Sequence, residues 1–142
     1  MIIHSKKRSF GKACHVSSFT LGTMRATENL DKMKYIIKSA HDAGINHLET
    51  AAAYGNAEKL IGESLKELET SENIFRKEWI ITTKVLPKGD FNYLKENFEN
   101  SLKNLKLKKI NNLAIHGINL EEHLDWVPVS YTHLTLPTSD LV

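Results

Sequence analysis

The sequence has one cysteine, Cys14, no long apolar run and no strong excess of one charge. A single cysteine cannot form a disulfide within the chain or supply a cysteine-rich metal cluster, so a reducing, cytoplasmic location is expected. No stretch reaches the ~18 apolar residues of a membrane helix. The basic N-terminus is not followed by the apolar segment of a secretory signal. The sequence therefore predicts a protein that does not span a membrane.

The charge balance is close to neutral. The 19 lysine and arginine residues and the 17 aspartate and glutamate residues leave a formal charge of +2 at pH 7. So small a surplus gives no reason to expect a nucleic acid or a membrane surface as a partner. No spacing of histidine, cysteine and acidic side chains is typical of a metal site. The 142 residues are enough for one domain, and their 41% hydrophobic content is ordinary for a globular protein.

Four short apolar runs have the length and composition of buried strands. They are residues 18–21, 45–49, 79–84 and 110–116. Their starts are about 30 residues apart, which is the spacing of βαβ units. Residues 2–16 contain two shorter apolar pieces and predict a β-hairpin ahead of the first run.

The stretches between these runs carry apolar residues at the spacing of a helix face. The first predicted helix covers about residues 28–43, with Thr27 as its cap and Gly44 as its stop. The second begins near Asn56, the third follows Asp90, and a fourth begins near Glu121. The predicted buried positions of the first three helices are Leu30, Met33, Ile36, Ile37, Ala40, Leu60, Ile61, Leu65, Leu68, Phe91, Leu94, Phe98, Leu102 and Leu105.

The alternation of strands and helices predicts a parallel α/β sheet with right-handed crossovers. Two architectures compete. An open doubly wound sheet could be complete at this length, whereas a (β/α)8 barrel needs eight units and about 250 residues. The first strand–helix loop, residues 22–26, reads GTMRA and lacks the GxGxxG pattern of a dinucleotide-binding sheet. A partial TIM barrel of about four βα units with an N-terminal hairpin is therefore favoured.

Three chemically active side chains lie at the ends of consecutive predicted strands. Glu49, Lys84 and His116 close the second, third and fourth runs, and Tyr54 follows Glu49 by five residues. In a barrel, the C-terminal ends of the strands meet on the face that holds the active site. A carboxylate, a phenol, an ammonium and an imidazole should therefore converge there. His47, two residues before Glu49, is expected to pack inside the sheet instead.

Four segments together resemble the aldo-keto reductases. They are LGTM at 21–24, GINHLETA at 44–51, YGNAE at 54–58 and TK at 83–84. The resemblance extends over nearly all of residues 8–127. It implies a TIM barrel whose bottom is plugged by an N-terminal hairpin. It also implies reduction of aldehydes and ketones with NADPH, through a tetrad of aspartate, tyrosine, lysine and histidine.

The resemblance implies a role for each of the four side chains. Tyr54 would be the general acid, Lys84 its activating neighbour and His116 the residue that orients the substrate. Glu49 stands where most of the family has aspartate, and the segment around it resembles a branch in which glutamate is usual. Carbonyl reduction leaves negative charge on oxygen, so a proton donor must stand there, and a nearby ammonium stabilises the phenolate that results.

The resemblance also implies a cofactor site, and other functions stay open beside it. The expected NADPH-binding residues are Gly22, Thr23, Met24 and Glu49, and the expected partner is a small carbonyl compound. One alternative is a non-catalytic NADPH-binding subunit with a regulatory or redox-sensing role. Another is a different barrel enzyme, for example an isomerase with Glu49 and His116 as acid and base.

The end of the chain does not continue the βα pattern. Residues 129–138, VSYTHLTLPT, have no helical periodicity and resemble the in-frame translation of a sequencing adapter. An ordinary β-rich tail is the alternative. On the adapter interpretation, native sequence ends near Val127 or Pro128 and residues 128–142 are a non-native tail. Residues 1–127 are then expected to be the N-terminal half of a barrel, which would be inactive by itself.

Overall fold

A computed structural model describes residues 6–10, 14–26, 28–119 and 121. The chain opens with the predicted antiparallel hairpin, formed by β1 (Lys7–Phe10) and β2 (Cys14–Ser17). Alternating strands and helices follow, and a short 3-10 helix (Arg76–Glu78) lies before the third of these strands. The later elements are β3 (Leu21–Gly22), α1 (Leu30–Asp42), β4 (His47–Glu49), α2 (Ala57–Ser71), β5 (Ile80–Val85), α3 (Phe91–Asn104) and β6 (Asn112–Ile115).

The strands after the hairpin form one parallel sheet in the order β3-β4-β5-β6. Strands that follow each other in the chain are therefore neighbours in space. A doubly wound sheet would reverse its order at a switch point, whereas one wall of a barrel keeps it. Within the described residues the sheet is open, and all its strands end at one edge.

The first strand of this sheet is shorter than predicted and begins later. Residues 18–21 were the expected strand, but β3 covers only Leu21–Gly22. Side-chain bonds replace the strand ladder just before it: the backbone N–H of Ser17 donates to Asn46 Oδ1 at 2.7 Å, and the backbone N–H of Asn46 donates to Ser17 Oγ at 3.1 Å. The hairpin is thereby tied to the loop before β4 without a continuous strand.

The main core lies between the sheet and helices α1 and α2. Met33, Ile37 and Ala40 of α1 are buried as their spacing predicts, and Leu30 is half-buried at the helix start. A smaller cluster joins α3 to β5 and β6. The main cluster is Ala26, Met33, Ile37, Ala40, Leu48, Ile61, Leu65, Leu68, Ile74, Trp79, Ile81 and Leu105.

Helix starts agree only in part with the caps expected from the sequence. The third helix follows Asp90 as predicted, and the Asp90 side chain also caps it by accepting a backbone N–H of the first turn at 2.9 Å. Asn29 caps α1 in the same way, so α1 begins two residues later than expected. Thr27, the predicted cap, lies outside the described residues. Asn56 precedes α2, but its side chain makes no capping bond.

Gly62 marks the closest approach of α2 to the end of α3. A Cβ built at this position would lie 2.8 Å from the backbone carbonyl carbon of Leu105 and would also overlap the carbonyl oxygen of Asn104. Both are backbone atoms, so they cannot move aside as the tip of a side chain would. The sequence did not single out this glycine, and only the packing of the two helices explains it.

We expect Gly62→Ala to lower the free energy of unfolding by about 1–3 kcal/mol. At an exposed position inside a helix, the same change would raise the free energy of unfolding by about 1 kcal/mol, because alanine is the better helix former. Here the overlap with α3 outweighs that gain. Urea denaturation followed by circular dichroism measures the effect, with the exposed helix residue Ser71→Ala as control. A Gly62→Ala protein at least as stable as wild type would contradict the close packing.

Some expectations fall on parts of the chain that the structure does not describe. Apart from Glu121, the predicted fourth helix and residues 128–142 lie outside the described residues. Among the described helices, none has the length and apolar character needed to span a membrane. The same part of the chain contains no cluster of three or more histidine, cysteine or acidic side chains suited to a metal ion.

Candidate active site

The four predicted side chains meet at the edge where the parallel strands end. Glu49 is the last residue of β4, Lys84 lies one residue before the end of β5, and His116 directly follows β6. Tyr54 belongs to the loop between β4 and α2. Lys84 contacts both Glu49 and Tyr54, and Tyr54 contacts His116. The structure thus brings all four together in one chain of contacts.

Backbone bonds beyond the strand ends hold the loops that carry these groups. Past β4, the N–H of Thr50 donates to the carbonyl of Thr82 at 2.9 Å, and the N–H of Ala52 donates to the carbonyl of Lys84 at 3.0 Å. Past β6, the N–H of His116 donates to the carbonyl of Val85 at 2.8 Å. The ladder therefore continues into the loops, which places these side chains on a rigid support.

Lys84 and Glu49 form an ion pair in a partly enclosed position. The ammonium Nζ contacts Glu49 Oε1, with 12% of the lysine side chain and 33% of the glutamate side chain exposed. Burial lowers the pKa of Lys84 from its ordinary value, because it removes water that would stabilise the charged ammonium. The glutamate side chain at the end of β4 thus reaches the lysine near the end of β5.

The ring of Tyr54 lies between the lysine and the histidine. Lys84 Nζ stands 4.7 Å from the centroid of the ring, within the range of a cation–π contact. The ring of His116 meets the tyrosine edge-on, with centroids 5.4 Å apart and an interplanar angle of 87°. This is a favoured arrangement of two aromatic rings. The phenol is thus held against a cation on one side and an imidazole on the other.

A tight turn leads from Tyr54 into α2. The N–H of Tyr54 donates to the carbonyl of Ala51, and the carbonyl of Tyr54 accepts from the N–H of Ala57, both at 3.0 Å. Gly55 has a φ of +56°, which side-chain-bearing residues adopt only at a cost. The tyrosine therefore lies in a turn that is tied to the start of α2 by hydrogen bonds.

His116 has a lowered pKa. Burial and the nearby charge of Lys84 both lower its pKa. Its Nδ1 is buried and has no hydrogen-bond partner among the described residues. The ring also borders an open groove of about 460 Å³. The other residues along this groove are Leu86, Pro87, Lys88, Gly117 and Asn119.

The residues expected at the cofactor lie beside Glu49 at the end of β3. A Cβ added to Gly22 would stand 4.0 Å from Glu49 Oε2, so the surface there is open. Thr23 is fully buried, and its hydroxyl donates to the carbonyl oxygen of Glu49 at 3.0 Å. The side chain of Met24 is 53% exposed. Gly22 and Met24 therefore lie at an open surface, while the Thr23 hydroxyl holds the backbone of Glu49.

His47 packs inside the sheet, one layer below the candidate site. Its Nδ1 pairs with Thr20 Oγ1 and its Nε2 with Thr82 Oγ1, both at 2.9 Å. The ring of Phe10, from the hairpin, lies 5.1 Å from the imidazole centroid. Burial lowers the pKa of His47 from its ordinary value. This agrees with the expectation that His47 packs rather than reacts.

We expect this histidine to make folding sensitive to mild acid. Since the pKa of His47 is lower in the folded than in the unfolded chain, the unfolded chain binds a proton first as pH falls. Stability is then full above about pH 6.5 and decreases as pH falls toward the lower, folded-state pKa. Between neutral and acidic pH, the free energy of unfolding should fall less for His47→Gln than for wild type. The control His15→Gln, at an exposed site, should follow wild type. Parallel curves for wild type and His47→Gln would contradict this.

The expectations from sequence did not include a buried acid at the start of α2. Glu58 is 3% exposed, although it lies in the YGNAE segment, where a first-turn glutamate suits a solvated helix end. The signal that could have revealed it is periodicity, since Glu58 precedes the buried Ile61, Leu65 and Leu68 by three, seven and ten residues. Its position on the buried face was therefore readable, but its partners were not.

The chain is similar to known proteins over most of its length. The aldo/keto reductase family model matches residues 18–129. The 6-dehydroglucose reductase of Novosphingobium aromaticivorans is 33% identical over 126 residues, which cover 76% of this chain and 40% of that protein. The uncharacterized oxidoreductase YqkF of Bacillus subtilis is 28% identical over 134 residues, which cover 84% of this chain and 42% of that protein. The chain spans less than half the length of these two curated relatives.

A solved structure shares the fold as well. The aldo-keto reductase AKR11C1 from Bacillus halodurans, in its holo form, superposes with a TM-score of 0.75 at 27% identity. The match covers 92% of this chain and 46% of that one. Together with the strand order, this match confirms the prediction of a barrel-type α/β fold rather than a doubly wound open sheet.

Proposed function

The chain belongs to the aldo/keto reductase family, and on that premise we propose that the full-length protein carrying it reduces aldehyde or ketone carbonyls with NADPH. The observation that carries the proposal is the unbroken line of contacts from Glu49 through Lys84 and Tyr54 to His116 at one sheet edge. Carbonyl reduction needs a proton donor, a cation beside it and a group that orients the substrate oxygen. These four side chains supply such a set.

In this proposal Tyr54 donates the proton that the substrate oxygen takes up. The Lys84 ammonium, 4.7 Å from the ring centroid, stabilises the phenolate that remains. Glu49 holds the ammonium in place through the ion pair. Since charge develops on the phenol during the transfer, a fixed cation lowers the barrier without having to reorganise.

His116 orients the substrate carbonyl in the proposed reaction. Its lowered pKa keeps the imidazole neutral at pH 7, so one ring nitrogen carries a hydrogen and can donate it to an oxygen. A neutral donor also avoids placing a second positive charge beside Lys84. The open groove at His116 gives a small carbonyl compound a path to the ring.

The residues at the end of β3 suit a nicotinamide ring. NADPH, when bound, would supply the hydride. Gly22 presents no side chain to it, Met24 offers an exposed apolar surface, and Glu49 lies within contact of both the lysine and this surface. We propose NADPH as the cofactor, a small carbonyl compound as the substrate and the cytoplasm as the location.

The test is consumption of NADPH by the full-length protein in the presence of simple aldehydes and ketones, followed by absorbance. We expect many turnovers per protein molecule, and equal amounts of alcohol formed and NADPH oxidised. Tight binding of NADPH without turnover would instead favour a regulatory subunit. Conversion of a substrate with no NADPH consumed would favour an isomerase.

We also propose that residues 1–127 form the N-terminal half of the barrel and that residues 128–142 are a non-native tail. The support is that the chain covers only 40–46% of the three related proteins described above and that its described sheet has four strands, with β3 and β6 at the ends. End strands of an open sheet present unpaired backbone groups, which favour association.

The 142-residue chain expressed alone should therefore associate and oxidise no NADPH with carbonyl substrates. Size-exclusion chromatography with light scattering and the NADPH assay measure both properties, with the full-length protein as control. A monodisperse monomer that turns over NADPH would refute the half-barrel proposal.

A further inference from the structure

Glu58 is a buried carboxylate that the proposed chemistry does not use. It lies in the first turn of α2, behind the sheet, and is 3% exposed. Its Oε1 accepts a short hydrogen bond of 2.6 Å from the hydroxyl of Thr83, and its Oε2 accepts a longer one of 3.4 Å from Asn104 Nδ2. Burying a carboxylate is costly unless such bonds offset the loss of water. A buried acid at this place therefore calls for an explanation.

Thr83 connects this acid to the candidate site. It directly precedes Lys84 in β5, and successive residues of a strand face opposite sides of the sheet. Thr83 thus faces the helices and Glu58, whereas Lys84 faces Glu49 and Tyr54. A bond that holds Thr83 also holds the stretch of backbone from which Lys84 projects.

Glu58 is also close to the tyrosine along the chain. It follows Tyr54 by four residues, and the N–H of the residue before Glu58 donates to the Tyr54 carbonyl at 3.0 Å. The tyrosine turn and the first turn of α2 are therefore one rigid unit. The bond from Ala52 N–H to the Lys84 carbonyl joins this unit to β5 on one side of the sheet. The bond between Glu58 and Thr83 joins the same unit to β5 a second time, on the side of the sheet that faces the helices.

We infer that Glu58 is a positioning residue, which acts through Thr83 to set the separation between the Lys84 ammonium and the Tyr54 ring. The inference rests on the proposed function for its effect on rate. A carboxylate suits this role better than an apolar side chain, because its bond to a hydroxyl is directional and strong. The N-terminal end of α2 also stabilises its negative charge. Loss of this tie leaves the four site residues present but misplaced.

The rate experiment compares variants of the full-length protein that remove or keep the tie. Thr83→Val, which keeps the shape and loses the hydroxyl, should lower kcat by about 10- to 10²-fold with KM for NADPH unchanged. Thr83→Ser should restore most of the rate, because it restores the hydroxyl. Glu58→Gln keeps an acceptor oxygen but loses the charge, so its kcat should lie between those of Thr83→Val and Thr83→Ser. This variant also tests the inference if Thr83→Val does not fold.

The matched control removes an equally short bond at the far end of the sheet. Ser17 is buried; its hydroxyl donates to the carbonyl of Phe19 at 2.6 Å and also accepts from the backbone N–H of Asn46 at 3.1 Å, so Ser17→Ala removes both bonds. Ser17→Ala should lower Tm without lowering kcat, when each variant is assayed at the same interval below its own Tm. A purely structural role for Glu58 predicts that Thr83→Val behaves like this control, and that result would overturn the inference.

A second readout does not depend on activity. In the full-length protein with ring-labelled tyrosine, Tyr54→Phe identifies the NMR signal of Tyr54, and Tyr35→Phe and Tyr93→Phe identify two reference signals. In Thr83→Val the Tyr54 signal should shift as the ring moves relative to the Lys84 charge, while those of Tyr35 and Tyr93 stay in place. An unchanged Tyr54 signal would overturn the inference. If wild type reduces no carbonyl, the proposed function fails, and the Tyr54 signal still decides whether Glu58 positions the ring.

Discussion

Replacement of Tyr54 by phenylalanine in the full-length protein should lower kcat for carbonyl reduction by about 10²–10⁴-fold and leave NADPH binding almost unchanged. Phenylalanine keeps the ring, so the contact with Lys84 at 4.7 Å and the edge-on contact with His116 can persist. Only the hydroxyl is lost, and it is the proton donor in the proposed mechanism. The expected defect is therefore in the chemical step rather than in folding.

Steady-state kinetics with an aldehyde and fluorescence titration with NADPH measure the two expectations separately. Tyr35→Phe is the matched control, because Tyr35 is 73% exposed on α1, away from the strand ends. It should behave as wild type in both assays. Near-normal turnover in Tyr54→Phe would remove Tyr54 from the role of general acid.

Replacement of Lys84 by methionine should also lower kcat, by about 10²-fold. The change removes the cation that stabilises the phenolate of Tyr54. It also leaves Glu49, only 33% exposed, without the ammonium that it contacts. An uncompensated, partly buried charge should cost stability as well as activity.

A double variant separates the two effects of losing Lys84. Adding Glu49→Gln to Lys84→Met removes the uncompensated charge, so thermal unfolding should recover while kcat stays low. Lys95→Met is the control, since Lys95 is an exposed lysine of α3 that pairs loosely with Glu99 at 3.9 Å. Equal kcat values for Lys84→Met and Lys95→Met would exclude Lys84 from the mechanism.

Local patterns were enough to predict most elements of the fold. Helix periodicity placed Met33 and Ile37 on the buried face of α1, and the third helix was correctly predicted to follow Asp90. These features depend on neighbours within a few residues, which is why spacing alone can reveal them. The start of β3 was predicted too early, because bonds between Ser17 and Asn46, 29 residues apart, replace the strand ladder there.

The candidate site was predictable as a set of positions. Parallel strands end at one edge, so Glu49, Lys84 and His116 had to come near each other once the strands were identified. The same reasoning could not supply their contacts. That Lys84 lies over the ring of Tyr54, and that burial and Lys84 lower the pKa of His116, depends on distances between loops far apart in the chain.

The sequence by itself determined the order of strands and helices, the apolar faces of the helices and the four side chains at the strand ends. These follow from periodicity and from the geometry of βα units, which need no knowledge of distant contacts. The tertiary structure alone decided why position 62 is glycine and why Glu58 is buried. Both depend on the space and the partners that α3 and β5 provide. A residue's type does not say which backbone or hydroxyl will stand against it, because that is settled only when the elements pack.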